Sequence, residues 1–239
     1  MPVGGPSGTG WYNPAPMSRS KKLEAKLFVV TDRLRAVYGR PVHRPGDPLS
    51  ELVRTVLSQN TSDVNSGRAY RALREAFPTW EQAARARPTA VERAIRIGGL
   101  ARTKSRRIHD LLREVREREG RLSLRSLRGL DLAAAKGRLT GLAGVGPKTR
   151  ACVLLFACDL PAFPVDTHIH RIARRLGLVP EGASPERTQE ILEPAVAPGR
   201  ALDLHLNLIR LGREVCRPRT PRCPHCPLRP SCRWARRPA

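Results

Sequence analysis

The stretch "LAGVGPKTRACVLLF", residues 142–156, interrupts a helical pattern with glycine and proline and then runs into an apolar segment. Within "AKGRLTGLAGVGPKTRA" (135–151), Gly144, Gly146 and Pro147 rule out one continuous helix, so two helices joined by a glycine turn are predicted. Pro147 suits the first position of the second helix, where a missing N–H costs nothing. Gly144 and Gly146 let backbone amides approach a phosphate, and the helix start adds partial positive charge. Such a seat reads no base identity, and a purely structural hairpin has the same spacing. Lys148 falls in the first turn of that second helix, where the dipole disfavours a cation. The position is poor for a structural ammonium and good for a nucleophile.

Lys and Arg together number 44 against 21 Asp and Glu, a formal net charge of +23 over 239 residues. This excess attracts polyanions, of which nucleic acid is the commonest, although an arginine-rich soluble protein would share it. No apolar run reaches the roughly 20 residues that span a bilayer, and no secretory signal stands at the start, so a soluble cytoplasmic protein with no membrane partner is predicted.

Residues 1–20, rich in Gly, Pro and Ser, are predicted to be a disordered tail. From Lys21 the spacing of Leu23, Leu27, Val30, Leu34 and Val37 is helical. Ten further helical segments are predicted, over 48–60, 62–77, 79–86, 88–97, 101–118, 131–141, 147–158, 167–176, 185–197 and 200–214. Strand signals are nearly absent and aromatics make up only 4% of the chain, so the fold class is all-α.

Asp166, in "FPVDTHIHRIARRLG", precedes an amphipathic helix and can serve simply as its N-cap, worth about 1 kcal/mol. Reach permits more. A helix over 147–158 rises roughly 16 Å at about 1.5 Å per residue. The link 159–165 can span roughly 23 Å at about 3.3 Å per residue, enough to bring Asp166 back beside Lys148. A neutral lysine amine attacks electrophilic carbon and forms a Schiff base. A neighbouring carboxylate can steady positive charge on a sugar as its base departs, or carry protons. His168 and His170 in the same helix receive no chemical role.

Six cysteines divide into two groups. Cys152 and Cys158 lie in an apolar segment and read as small buried residues. Cys216, Cys223, Cys226 and Cys232 lie within 17 residues, and four thiolates can hold zinc or a [4Fe–4S] cluster. From Arg213 onward eight arginines face one acid, and Arg217, Arg219 and Arg222 fall between the first two of these cysteines.

"LAGVGPKT", followed by "VDTH" with its Asp 18 residues after the Lys, resembles the signature of the endonuclease III family of DNA glycosylases, over about residues 25–234. The resemblance implies a helix-hairpin-helix fold with two lobes. One is a six-helix domain over 41–160 carrying the hairpin; the other joins 21–40 to 161–239 and holds a [4Fe–4S] cluster on the four C-terminal cysteines. It implies a monomeric, bacterial-type, nucleoid-associated enzyme. That enzyme excises oxidised pyrimidines from duplex DNA with a damaged base or abasic site, then cleaves the strand by β-elimination. By motif match Lys148 is the Schiff-base nucleophile and Asp166 the catalytic carboxylate. Arg217, Arg219 and Arg222 are then set against DNA phosphates.

Flipping a base out of the duplex leaves a hole that side chains must fill. "VLSQNTSD" (56–63) resembles the family segment supplying a polar wedge, at Gln59 or Asn60, and "GGLARTK" (98–104) the opposing loop with Leu100. Two positions depart from the family: Ala143 stands where proline is common and Pro147 where arginine is. Adenine-mismatch relatives carry a glutamate just before the polar wedge segment, where this chain has "RTVLS", and usually lack the lysine. A thymine or uracil mismatch glycosylase, a glycosylase without lyase activity, and a non-catalytic DNA-binding protein on this scaffold are the alternatives.

Overall fold

A computed structural model describes residues 18–236 and contains eleven α-helices, with no β-strand among the described residues. They are α1 (Arg19–Tyr38), α2 (Pro48–Ser58), α3 (Asp63–Ala76), α4 (Trp80–Arg85), α5 (Pro88–Ala94), α6 (Ala101–Glu119), α7 (Leu132–Leu139), α8 (Pro147–Cys158), α9 (Thr167–Leu176), α10 (Pro185–Leu192) and α11 (Ala201–Glu214). Short 3₁₀ turns follow α5, α6 and α10 and recur through the C-terminal segment. None of the predicted helices is missing. The ends of the predicted 88–97 and 185–197 segments tighten into 3₁₀ turns.

Most helix starts are written in the sequence. Ser18, Asp47, Ser62, Thr79, Asp131, Asp166 and Ser184 each accept a first-turn N–H with the side chain, and Thr79 with Gln82 forms a capping box. The Ser18 cap corrects the extent of the predicted tail: Arg19 and Ser20 are already helical. Residues 1–17 lie outside the described residues. In α1 the predicted stripe is buried at Leu27, Val30 and Leu34, but Val37 is 57% exposed because the last turn projects past the core.

The apolar side chains gather in two buried clusters. The first draws on α2 through α8, including Leu52, Val56, Leu73, Ile108, Leu112, Val153 and Leu154. The second draws on α1 and α9 through α11, including Val30, Leu34, Ile169, Ile172, Leu204 and Leu208. α8 serves both. Ala151, Val153 and Leu154 enter the first cluster, and Leu155 enters the second. A helix apolar on nearly all sides must be buried on nearly all sides, which is why "ACVLLFAC" lies at the centre of the molecule. Truncating a core residue such as Leu154 to alanine costs about 2–5 kcal/mol.

The clusters are joined by specific polar contacts. Lys136 on α7 pairs with Glu193, whose other oxygen accepts the Phe163 N–H at 2.9 Å. The Gln189 amide donates to the Pro147 carbonyl at 3.3 Å. At the opposite end of α8, a ring nitrogen of His43 lies 2.6 Å from the Phe156 carbonyl.

Candidate active site

The predicted hairpin is α7, a turn and α8. Gly144 has φ +71°, a left-handed conformation natural to glycine, and the side chain of Arg107 lies over it. Gly146 has ordinary extended backbone at φ −77° and caps α8. A Cβ there would meet nothing within 4 Å, so the surface at Gly146 is open. The α8 start carries no side-chain cap, in contrast to α7 and α9 on either side. The Ala143 N–H is taken by Glu114 at 3.0 Å and that of Val145 by the Leu142 carbonyl. Open amides at an uncapped helix start suit an anion.

Lys148 and Asp166 lie near the N-termini of successive helices, one in the first turn of α8 and the other at the N-cap of α9. Asp166 Oδ1 accepts the Ile169 N–H at 2.8 Å, as the N-cap reading requires. No ion pair within 4.0 Å joins Asp166 to Lys148. Both charges nevertheless act on the same two buried groups. Burial pushes the Cys152 thiol up to about 11; Lys148 opposes this by charge and a hydrogen bond, whereas Glu51 and Asp166 add to it. Burial pushes His205 down to about 4, with Asp166 and a bond to the Pro164 carbonyl opposing and Lys148 reinforcing. The link 159–165 thus returns Asp166 to the neighbourhood of Lys148.

Further neighbours of this pair come from α2 and α11. His205 on α11 has Nδ1 2.9 Å from the Pro164 carbonyl, and its ring stands edge-on to Phe156 and Phe163 at 5.4 and 6.3 Å. Glu51 on α2 is displaced above the usual carboxylate range by burial, with Arg54, His43, Lys148 and the Thr55 hydroxyl all pulling it back. Sequence reasoning missed Glu51, Cys152 and His205 as neighbours of Lys148. Glu51 lies on α2 two turns before Gln59, outside the stretch just ahead of the candidate wedge segment. Cys152 was legible as a buried thiol, and its spacing four residues from Lys148 was the available signal. For His205, in "ALDLHLNLIRL", the linear sequence offers none.

The two candidate wedge loops lie side by side. Asn60 and Leu100 have φ of +52° and +49°, two of three non-glycine residues with positive φ among the described residues. Both are exposed, Leu100 to 58%. Gln59 differs: it is half-buried, and its Oε1 accepts from Arg107 Nη1 at 2.7 Å. His168 and His170 are packing residues. His168 lies against Gly212 on α11, and His170 Nδ1 is 3.2 Å from the Thr188 hydroxyl.

Cys216, Cys223, Cys226 and Cys232 are half-buried free thiols. Burial raises the Cys226 thiol, a bond from the Leu228 backbone opposes this, and Cys216, Cys232 and Cys223 all raise it further, so the four sulfurs share one neighbourhood. Among the described residues no three His, Cys, Asp or Glu side chains are spaced to hold a single metal ion. Arg175 Nη1 donates to Cys216 Sγ at 3.2 Å and Arg171 donates twice to the Cys216 carbonyl, tying this segment to α9. Arg217, Arg219 and Arg222 are exposed and make no ion pair among the described residues.

A glycine-turn hairpin with an uncapped second helix, in an all-helical fold, defines the class, and comparison with known proteins agrees. Residues 53–198 match the family described as "HhH-GPD superfamily base excision DNA repair protein". The chain is 35% identical to endonuclease III of Thermotoga maritima over 82% of its own length and 87% of the relative's. It is 41% identical to an Arabidopsis thaliana protein named as a DNA glycosylase, over 70% of this chain and only 57% of that longer protein. A solved structure of a trapped covalent endonuclease III–DNA intermediate superposes with TM-score 0.73 at 26% identity, covering 92% of this chain and 98% of the other. The chain belongs to the HhH-GPD superfamily of base excision DNA repair proteins, in its endonuclease III branch, and is a DNA-binding glycosylase with abasic-site lyase activity.

Proposed function

We propose that this glycosylase excises oxidised pyrimidines from duplex DNA and cleaves the abasic strand through a Schiff base on Lys148. The Lys148 amine, in its neutral form, attacks deoxyribose C1′. The N-glycosidic bond breaks, and the base leaves with the bonding electrons and takes up a proton. Opening of the sugar ring gives an iminium; loss of a C2′ proton then expels the 3′ phosphate by β-elimination. Asp166 steadies the positive charge that develops on the sugar and accepts a proton. Oδ1 is engaged in capping α9, which fixes the carboxylate's orientation.

Around this centre, the amides at Gly144 and Gly146 and the side chains of Arg217, Arg219 and Arg222 bind backbone phosphates. Asn60 and Leu100 fill the space left by the flipped nucleotide, while Gln59 remains with Arg107. Cys216, Cys223, Cys226 and Cys232 hold a [4Fe–4S] cluster, which supplies no step of base removal and fixes the C-terminal segment. The groove lies between the domain over 41–160 and the domain formed by 21–40 with 161–239. The enzyme works as a monomer on nucleoid DNA in the cytoplasm.

The observation that carries this reading is the convergence of Lys148 and Asp166 on Cys152 and His205. It is tested by borohydride trapping on an abasic duplex. Wild type gives a covalent adduct and Lys148→Ala gives none. An adduct that persists in the variant rejects Lys148 as nucleophile, and excision of a base with no adduct in wild type rejects the Schiff base. Excision from duplexes carrying thymine glycol, uracil or mismatched thymine then separates oxidised-pyrimidine repair from mismatch repair.

A further inference from the structure

Lys104, in the first turn of α6, is 2% exposed and has no carboxylate partner. An ammonium taken out of water needs each of its three protons accepted. Lys104 Nζ donates to the Leu57 carbonyl at 2.7 Å, to the Gly98 carbonyl at 2.9 Å and to the Thr61 hydroxyl. The Thr61 hydroxyl in turn donates to the Gly98 carbonyl at 2.6 Å. Leu57 lies in the last turn of α2, where carbonyls lack helical partners and the dipole favours a cation.

These acceptors bracket two residues with left-handed backbone, Asn60 and Leu100. Leu57 and Thr61 flank Asn60; Gly98 and Lys104 itself flank Leu100. One turn further along α6, Arg107 holds the side chain of Gln59. A single side chain thus ties together two loops that are 37 residues apart at their Thr61–Gly98 bond. A methionine would fill the same volume and could make none of these bonds.

We propose that Lys104 is the positioning residue of the duplex-invading pair, its buried ammonium fixing Asn60 and Leu100 at the separation at which both enter the duplex together. This rests on the proposed role of those two residues in filling the space beneath a flipped nucleotide. Lys104 touches no reacting atom, so its loss would affect extraction of a paired base and spare the sugar chemistry.

The test compares wild type with Lys104→Met, Lys104→Arg and Thr61→Val in three measurements. These are the thermal midpoint, single-turnover excision of thymine glycol from a duplex, and borohydride trapping on a single-stranded abasic oligonucleotide. Flipping is followed by fluorescence of 2-aminopurine beside the lesion. Misplacing a group by about 1 Å costs about 100-fold, so Lys104→Met is expected to lose excision and the 2-aminopurine signal on that scale. Trapping on the single strand should stay within about threefold, the conversion of a fraction of a kcal/mol. Lys104→Arg recovers part of the excision rate. Thr61→Val, which removes one acceptor, shows the same selective loss in smaller degree and decides the matter if Lys104→Met does not fold. Equal losses in excision and trapping, or wild-type excision by a folded variant, overturn the proposal. Wild type that excises no base at all from the duplex panel sinks the proposed function instead.

Discussion

Lys148 and Asp166 open two helices that follow one another in the chain, and their charges converge on Cys152, one turn inside α8. The convergence depends on an N-cap with a second use. One Asp166 oxygen closes the α9 N-terminus, and a carboxylate has acceptor capacity to spare. Asparagine caps a helix as well as aspartate does, so Asp166→Asn separates the two uses. The thermal midpoint should barely move, while single-turnover excision falls by about 100-fold or more, the scale of losing one electrostatic stabiliser. A variant that is destabilised yet fully active would assign Asp166 to capping alone.

His205 makes stability depend on pH. Its ordinary value of 6.5 falls to about 4 in the fold because burial penalises the imidazolium. Below pH 6.5 the unfolded chain binds a proton that the native histidine refuses. Stability is therefore complete above pH 6.5 and drains away as pH falls towards 4, by on the order of 3 kcal/mol in total. Urea midpoints measured across that window should slope less steeply in His205→Gln than in wild type. Parallel slopes would show that the histidine is not held neutral.

Gly212 is glycine for steric reasons. A Cβ at this position would fall 2.8 Å from both Cβ and Nδ1 of His168, across the α9–α11 contact. Gly212→Ala should cost about 1–3 kcal/mol by overpacking. Adding His168→Ala should return most of that loss, giving a coupling energy in a double-mutant cycle that two independent sites would not show.

The exposed arginines of the C-terminal loop should appear in the salt dependence of DNA binding. Each phosphate neutralised contributes about 0.9 to the slope of log K against log salt. Replacing Arg217, Arg219 and Arg222 one at a time by alanine should lower that slope by about 1 each if each meets a phosphate. Titrations of a labelled duplex at several salt concentrations measure this; unchanged slopes would leave the three in solvent.

Metal content is visible to the eye. Protein purified without oxygen should be yellow-brown and carry iron and sulfide, and Cys226→Ser should bleach it. A colourless protein containing zinc would replace the cluster with a single ion. Because Arg171 and Arg175 bind the Cys216 carbonyl and sulfur from α9, bleaching should also loosen the segment after Val215, read as faster amide exchange there.

Local signals made most of the helices legible. Asp47, Ser62, Asp131 and Ser184 announce helix starts because a short polar side chain satisfies an otherwise unpaired N–H within three residues. Ser18 is the same signal, set at the end of a Gly/Pro-rich stretch. The candidate wedge segments were legible as segments, but the bond that engages Gln59 was not, because Arg107 lies 48 residues away in the chain.

Features that depend on chain neighbours could be read from the residues alone. They cover the helices, the glycine turn before Lys148, the apolar character of α8 and the clustering of four cysteines. Long-range packing, by contrast, brings Glu51, Cys152 and His205 near Lys148 and lets Lys104 tie Leu57, Thr61 and Gly98 together. Helix propensity and capping act over a few residues. The field on a buried charge, and the partners it must find, come from whichever distant segments the packed core brings within a few ångströms.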